Sequence, residues 1–257
     1  MSILSHLLPA LGLYGAAHAL RIVRLGVCLG AFRLPARELT ALHCVGVALS
    51  YRLLPAFFYE AILLGGGTAR RRDATAPLLY SLLLLRLFDA LILVCLLLLT
   101  PPAAGLEELV RPALMLLTGV ALLCWFGVAA LPPLLLRLEQ RFLRSNAASP
   151  WVLTRLKATH ALRVGLDALS WRRRGTVSLV VVLSALSWGL EWQALAVLAG
   201  SAARGAADLL ARVGGSMGIR IVAPGGYEVL APGMYLAAII SAAYALHRLY
   251  RSRRSHV

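Results

Sequence analysis

Charged side chains are scarce in this chain: Asp, Glu, Lys and Arg together make up 14% of its 257 residues. Soluble domains carry about 25%, so a water-soluble enzyme and a charge-rich disordered chain are both excluded. Acids are scarcer still, 11 against 26 cations, and Lys157 is the single lysine. Cysteine is confined to Cys28, Cys44, Cys95 and Cys124, with no C-x-x-C pair. Each lies in an apolar stretch, where cysteine behaves as a small buried hydrophobe and not as a disulfide or metal framework. No metal or other cofactor is expected. The chain also lacks G-x-S-x-G, H-E-x-x-H and a phosphate-cradling glycine loop. Ser50, Ser184, Ser187 and Ser216 are scattered, and His160, His247 and His256 sit at basic edges. Catalytic chemistry is not expected.

What is abundant is apolar. Hydrophobic residues reach 60% and mean hydropathy is +0.79. The runs 78–99 and 113–136 are each as long as the ~20 residues that cross a bilayer core. The expected fold class is therefore all-α: a polytopic α-helical membrane protein, one integral membrane domain over 1–257. Residues 1–6 lack a basic leader and the run 7–20 continues into the chain, so no cleavable signal is expected.

The segments follow from where polar residues and prolines interrupt the runs. Residues 3–20 form a first, short apolar segment, ended by Arg21 and Arg24. The stretch 39–67 is broken at Pro55, because proline removes a helical hydrogen bond and disfavours helix in the residue before it. It reads as two half-helices, about 39–50 and 56–64. Spans follow at 76–100, 111–136, 176–199 and 229–249. Between the last two, 200–224 is too polar for a crossing, with Arg204, Asp208, Arg212 and Arg220, and reads as re-entrant. The expectation is about five full spans and two broken or re-entrant elements.

Charge sets the sidedness. Residues 137–174 hold nine cations against two acids, a balance of +7, and the loop 101–108 holds Glu107 and Glu108 with no cation. By the positive-inside rule the 137–174 segment and Arg70–Arg72 lie in the cytoplasm. Arg248, Arg251, Arg253 and Arg254 put the C-terminus there too. Four arginines in 21–37 argue that this stretch is cytoplasmic and Met1 outside. Trp151, Leu162, Leu166 and Trp171 among basic residues suit a helix lying on an anionic leaflet, beside the plainer reading of a solvated linker. The overall charge of +15 thus points to lipid headgroups and not to nucleic acid.

An arginine at mid-membrane costs about 2.5–3.5 kcal/mol on insertion scales and normally faces the bundle interior. Arg86 and Asp89, three apart, share a helix face: either a self-neutralised packing pair or an anion contact with its orienting acid. Arg52 lies at the Pro55 break, with Glu60 beyond it; a guanidinium beside half-helix ends is an anion cradle, or else it snorkels to the interface. Asp208 and Arg212, four apart among Ala, Leu and Gly, read as a buried pair, and Arg220 precedes the Pro224 turn. Glu191, between Trp188 and Trp192, is either an arginine partner or part of an interfacial aromatic belt, with the belt slightly preferred.

Three of these places carry a family resemblance. Leu53-Leu54-Pro55-Ala56-Phe57-Phe58-Tyr59-Glu60, Arg86-Leu87-Phe88-Asp89 and Pro224-Gly225-Gly226-Tyr227-Glu228 occur in order and spacing. Together they resemble the lysylphosphatidylglycerol-synthase transmembrane, or flippase-like, family over roughly residues 10–250. The likeness departs at Tyr59, Leu63, Leu85 and in the closeness of Glu228 to its turn. It implies a bacterial inner-membrane protein that moves an anionic or polyprenyl-linked lipid between leaflets. Together with the argument from intramembrane arginines, it makes Arg52, Glu60, Arg86, Asp89, Arg212, Arg220 and Glu228 the residues expected to contact that lipid. The rival expectation is a non-catalytic accessory subunit that docks a membrane enzyme through 137–174.

Overall fold

Leucine and alanine dominate the apolar runs, and both are good helix formers, so the runs become helices bounded by their few Gly, Pro and Ser residues. A computed structural model describes residues 3–28, 36–50, 75–99, 107–144, 149–167, 174–216 and 226–254. These form α1 (Ile3–Cys28), α2 (Ala36–Ser50), α3 (Thr75–Leu99), α4 (Glu107–Arg144), α5 (Pro150–Asp167), α6 (Arg174–Ala199), α7 (Ala202–Ser216) and α8 (Gly226–Arg254). No strand occurs among the described residues.

Four helices are long and apolar enough to cross a membrane: Ser81–Leu99 in α3, Val110–Arg144 in α4, Gly175–Ala199 in α6 and Gly226–Tyr244 in α8. This is a membrane protein, with helices near the boundaries expected for those spans. The expected first half-helix of 39–67 is α2. The second half, with Arg52, Glu60 and the Pro55 break, lies outside the described residues, as do 217–225 with Arg220 and Pro224. The expected re-entrant stretch supplies a 15-residue helix, α7.

The first segment differs most from expectation. Arg21 and Arg24 do not end it, because α1 runs unbroken through them for 26 residues. Both are buried. They are therefore interior groups and not loop markers, and the sidedness argument from 21–37 loses two of its four arginines.

Local chemistry fixes the turns. α6 ends at Gly200, whose φ of +69° is the left-handed conformation that glycine adopts without penalty. Ser201 then caps α7: its Oγ accepts from the Arg204 amide at 3.2 Å and its carbonyl from the Gly205 amide at 3.1 Å. α7 folds back so closely on α6 that a Cβ at Gly205 would lie 2.6 Å from the Ala196 nitrogen. α5 starts with Pro150 in the first turn, where its missing N–H is harmless.

α1 packs chiefly against α6, α2 against α8, and α3 against α4. Leu82, Leu117, Leu195, Leu210 and Leu230 form fully buried points of the core. The outer faces are apolar as well: Leu122, Leu123, Trp125 and Phe126 of α4 are exposed, as are Ile239 and Ile240 of α8. Such a surface suits lipid. At its far end α4 carries Glu139, which accepts from Arg163 Nε at 2.6 Å and pairs with His160 Nδ1 at 2.8 Å, both on α5. Phe142 and Trp151 add an edge-on ring contact at 6.3 Å, and Arg155 lies over Trp151. The basic stretch after α4 is thus a docked helix and not a loose linker. Its exposed Trp151, Leu153 and Val164 sit among Arg155 and Lys157.

Candidate functional site

Helical periodicity puts Tyr14, His18, Arg21 and Arg24 on one face of α1, at spacings of four, three and three. All four are buried against neighbouring helices. Arg24 grips Asp89 of α3 with both terminal nitrogens, the longer contact, Nη2 to Oδ2, being 3.2 Å. The same guanidinium donates to Ser184 Oγ on α6 at 2.7 Å. Trp188 Nε1 donates to Asp89 Oδ1 at 2.8 Å, and Arg86 Nη1 reaches Oδ2 at 3.2 Å. Asp89 is therefore ringed by two guanidinium groups and an indole.

One turn earlier on α1, Arg21 pairs with Glu191 of α6 and lies 4.2 Å from the Trp188 ring centre. Tyr227 of α8 donates its hydroxyl to Glu191 at 2.5 Å. Arg24 faces Ser184 while Arg21 faces Glu191, so α1 and α6 are antiparallel. His18 Nδ1 and His43 Nε2 of α2 are 2.9 Å apart, one ring donating and the other accepting. The Tyr14 ring meets His18 edge-on at 4.4 Å and Tyr227 at 6.3 Å. A polar core thus runs through five helices, α1, α2, α3, α6 and α8.

Its depth is notable. Asp89 falls near the middle of the apolar window Ser81–Leu99, and Trp188 near the middle of Gly175–Ala199. Charges this deep need partners, because taking an ion out of water costs several kcal/mol even after relaxation. Among the described residues three guanidinium groups (Arg21, Arg24, Arg86) share two carboxylates (Asp89, Glu191), a balance of +1. The Arg24 and Arg21 side chains are 7% and 8% exposed, whereas that of Arg86 is 24% exposed. Arg86 is the rim of the cluster and the others its interior.

Of the expected site residues, the structure brings Arg86 and Asp89 into this cluster. Arg52, Glu60 and Arg220 lie outside the described residues, and so does the side chain of Arg212. Glu228 is exposed in the first turn of α8, where an acid complements the helix dipole, and it takes no part in the cluster. Glu191 is fully buried, so it is an arginine partner and not a member of an interfacial belt. Sequence reasoning missed Arg21 and Arg24 because it read them as the end of a span. The signal that would have found them is the stripe Tyr14, His18, Arg21, Arg24, too regular for a boundary. Ser184, set aside for want of a catalytic partner, serves as an acceptor for Arg24.

Asp208 is buried as expected. It abuts the start of α8, where a Cβ on Gly226 would come within 2.5 Å of Oδ2. Among the described residues no group of three His, Cys, Asp or Glu side chains is placed to hold a metal. No family model matches the chain, and no curated protein and no solved structure is similar to it.

Proposed function

We propose that this chain binds an anionic lipid or lipid-linked headgroup within an inner-membrane bundle and passes it between leaflets. The observation that supports this reading is the mid-membrane cluster itself. Three guanidinium groups outnumber their two carboxylates there, and Arg86 holds its side chain at the rim. Intramembrane ionisable residues that face a bundle interior mark substrate pathways, and a guanidinium fork matches a phosphate bidentately. Arg86 and Asp89 are also two of the residues through which the chain resembles the flippase-like family. The acyl tails would stay in lipid against the apolar outer faces while the headgroup slips past Arg86.

Sidedness belongs to the same proposal. With the basic segment 137–174 and the C-terminus in the cytoplasm, α6 runs outward. Its antiparallel partner α1 then runs inward, leaving Met1 outside.

The test is lipid exchange. Purified protein in liposomes should accelerate transbilayer exchange of a labelled anionic lipid, and Arg86→Ala should slow it at least several-fold. No acceleration with any phospholipid or polyprenyl phosphate overturns the reading. A second reading, an accessory subunit for a membrane enzyme, rests on the docked α4–α5 hairpin with its basic, aromatic exposed face. One stoichiometric partner lost on reversing the charge of Arg155 and Lys157, with no exchange by the chain alone, would favour it.

A further inference from the structure

Asp208 stands apart from the cluster in one respect. Every carboxylate in the cluster is gripped by arginine, yet among the described residues neither oxygen of Asp208 has a hydrogen-bond partner of full geometry. The residue is 1% exposed. Buried polar groups are paired in the great majority of cases, and an unpaired one needs a specific reason. The polar group turned toward it is the amide of Gly226, the first residue of α8. That contact is close, because a Cβ on Gly226 would meet Oδ2 at 2.5 Å and Leu195 of α6 at 3.3 Å. The carboxyl therefore sits in the wedge where α6, α7 and α8 meet, aimed at a helix N-terminus.

Other charges nearby do not satisfy it. On α6, Glu191 lies one turn before Leu195 and is held by Arg21 and Tyr227. On α8, Tyr227 is turned to Glu191, and Glu228 is exposed. Arg111 of α4 and Arg204 of α7 itself are exposed, and Arg212, one turn along α7, lies outside the described side chains. A metal cation is a poor occupant: hard cations require about six oxygens, and one carboxylate with an amide N–H provides two. A proton fits, since it removes the charge that burial penalises and needs no further ligand.

We propose that Asp208 is a proton-binding site, and that its deprotonation loosens the seam between α7 and the N-terminus of α8. Ionised, the carboxylate is held out of water with only the α8 N-terminus, among the described residues, to compensate it, which favours parting of the wedge. Protonated, it keeps its place in the wedge without that penalty. Burial pushes this carboxyl up to about 6, with the Gly226 amide opposing the shift, so the change falls in a mildly acidic range. The seam leads directly to Tyr227, whose hydroxyl braces Glu191 and through it Arg21. A proton taken up at Asp208 thus acts on the bracing of the central cluster. The proposal is independent of which ligand that cluster binds.

The experiment uses the full chain in phosphatidylcholine nanodiscs, with no anionic lipid present. Infrared difference spectra between pH 7.5 and pH 5 should show a protonated-carboxyl carbonyl band in the wild type that is lost in Asp208→Asn and restored in Asp208→Glu. Hydrogen exchange of the 230, 231, 233 and 234 amides, corrected for intrinsic pH dependence, should be about tenfold slower at pH 5 than at pH 7.5 in the wild type. In Asp208→Asn it should be slow at both. A wild-type band unaffected by Asp208→Asn, or exchange of these amides that is pH-independent in the wild type, overturns the proposal.

Discussion

At the scale of single residues, the central cluster shows why a buried charge is dangerous alone and tolerable in company. Removing one member strands the other in hydrocarbon, which typically costs 3–5 kcal/mol. Asp89→Ala should therefore abolish or severely lower the thermal midpoint in detergent, since it orphans Arg24 and shifts Arg86 as well. Arg24→Met with Asp89→Leu should be much less damaging than either single change. A double variant as unstable as the sum of its parts would mean that the two residues do not interact. Asp208→Asn has the opposite sign. The folded carboxyl is pushed up to about 6 from an ordinary value of 3.8, so its contribution is favourable below the ordinary value and is lost as pH rises through about 6. The asparagine variant should gain about 1 kcal/mol at pH 7.5, on the scale of relieving one unsatisfied buried group, and gain nothing at pH 4. Half of the site was legible at this scale. Arg86 and Asp89 stand three apart in the middle of an apolar run, which a sequence shows at once. Arg21 and Glu191 pair across 170 positions of chain, and no spacing rule carries that far.

At the scale of helices, close approach and docking carry the predictions. Gly205 lets α7 lie on α6, with a would-be Cβ only 2.6 Å from a backbone nitrogen. Gly205→Leu forces the two helices apart and should cost about 1–3 kcal/mol, as overpacking does. A melt equal to that of the wild type would show that the helices part freely. α5 is held to the end of α4 through Glu139, with Arg163 and His160 on its two oxygens. Glu139→Gln should release α5 and expose Lys157 to limited trypsin digestion several-fold faster, while α3 and α6 stay protected. The boundaries of α2 and α3 were readable because glycine, proline and the loss of apolar residues mark them, and both begin and end within a few residues of expectation, whereas α1 and α4 run to Cys28 and Arg144, past their expected ends at 20 and 136. The docking of α5 was not readable. Its apolar rhythm is irregular, and what fixes it is one acid on a different helix.

At the scale of the whole molecule, apolar outer faces surround a polar core, and Arg86 joins the two. Replacing Arg86 by lysine keeps the charge but loses the planar fork. If that fork grips a phosphate, Arg86→Lys should retain less than half of wild-type lipid exchange with a near-normal melting profile. Full retention would leave charge alone as the requirement. The long α4 has a mechanical corollary. Its 38 residues extend for about 57 Å at 1.5 Å per residue, nearly twice a bilayer core of about 30 Å. Pro132 and Pro133 lie inside it and weaken the helical hydrogen bonds around them, so a bend of about 15° there carries the far tip, about 17 Å away, through roughly 4 Å with α5 attached. Movements too small to notice among the buried side chains would be magnified at that tip, like the pointer of a balance.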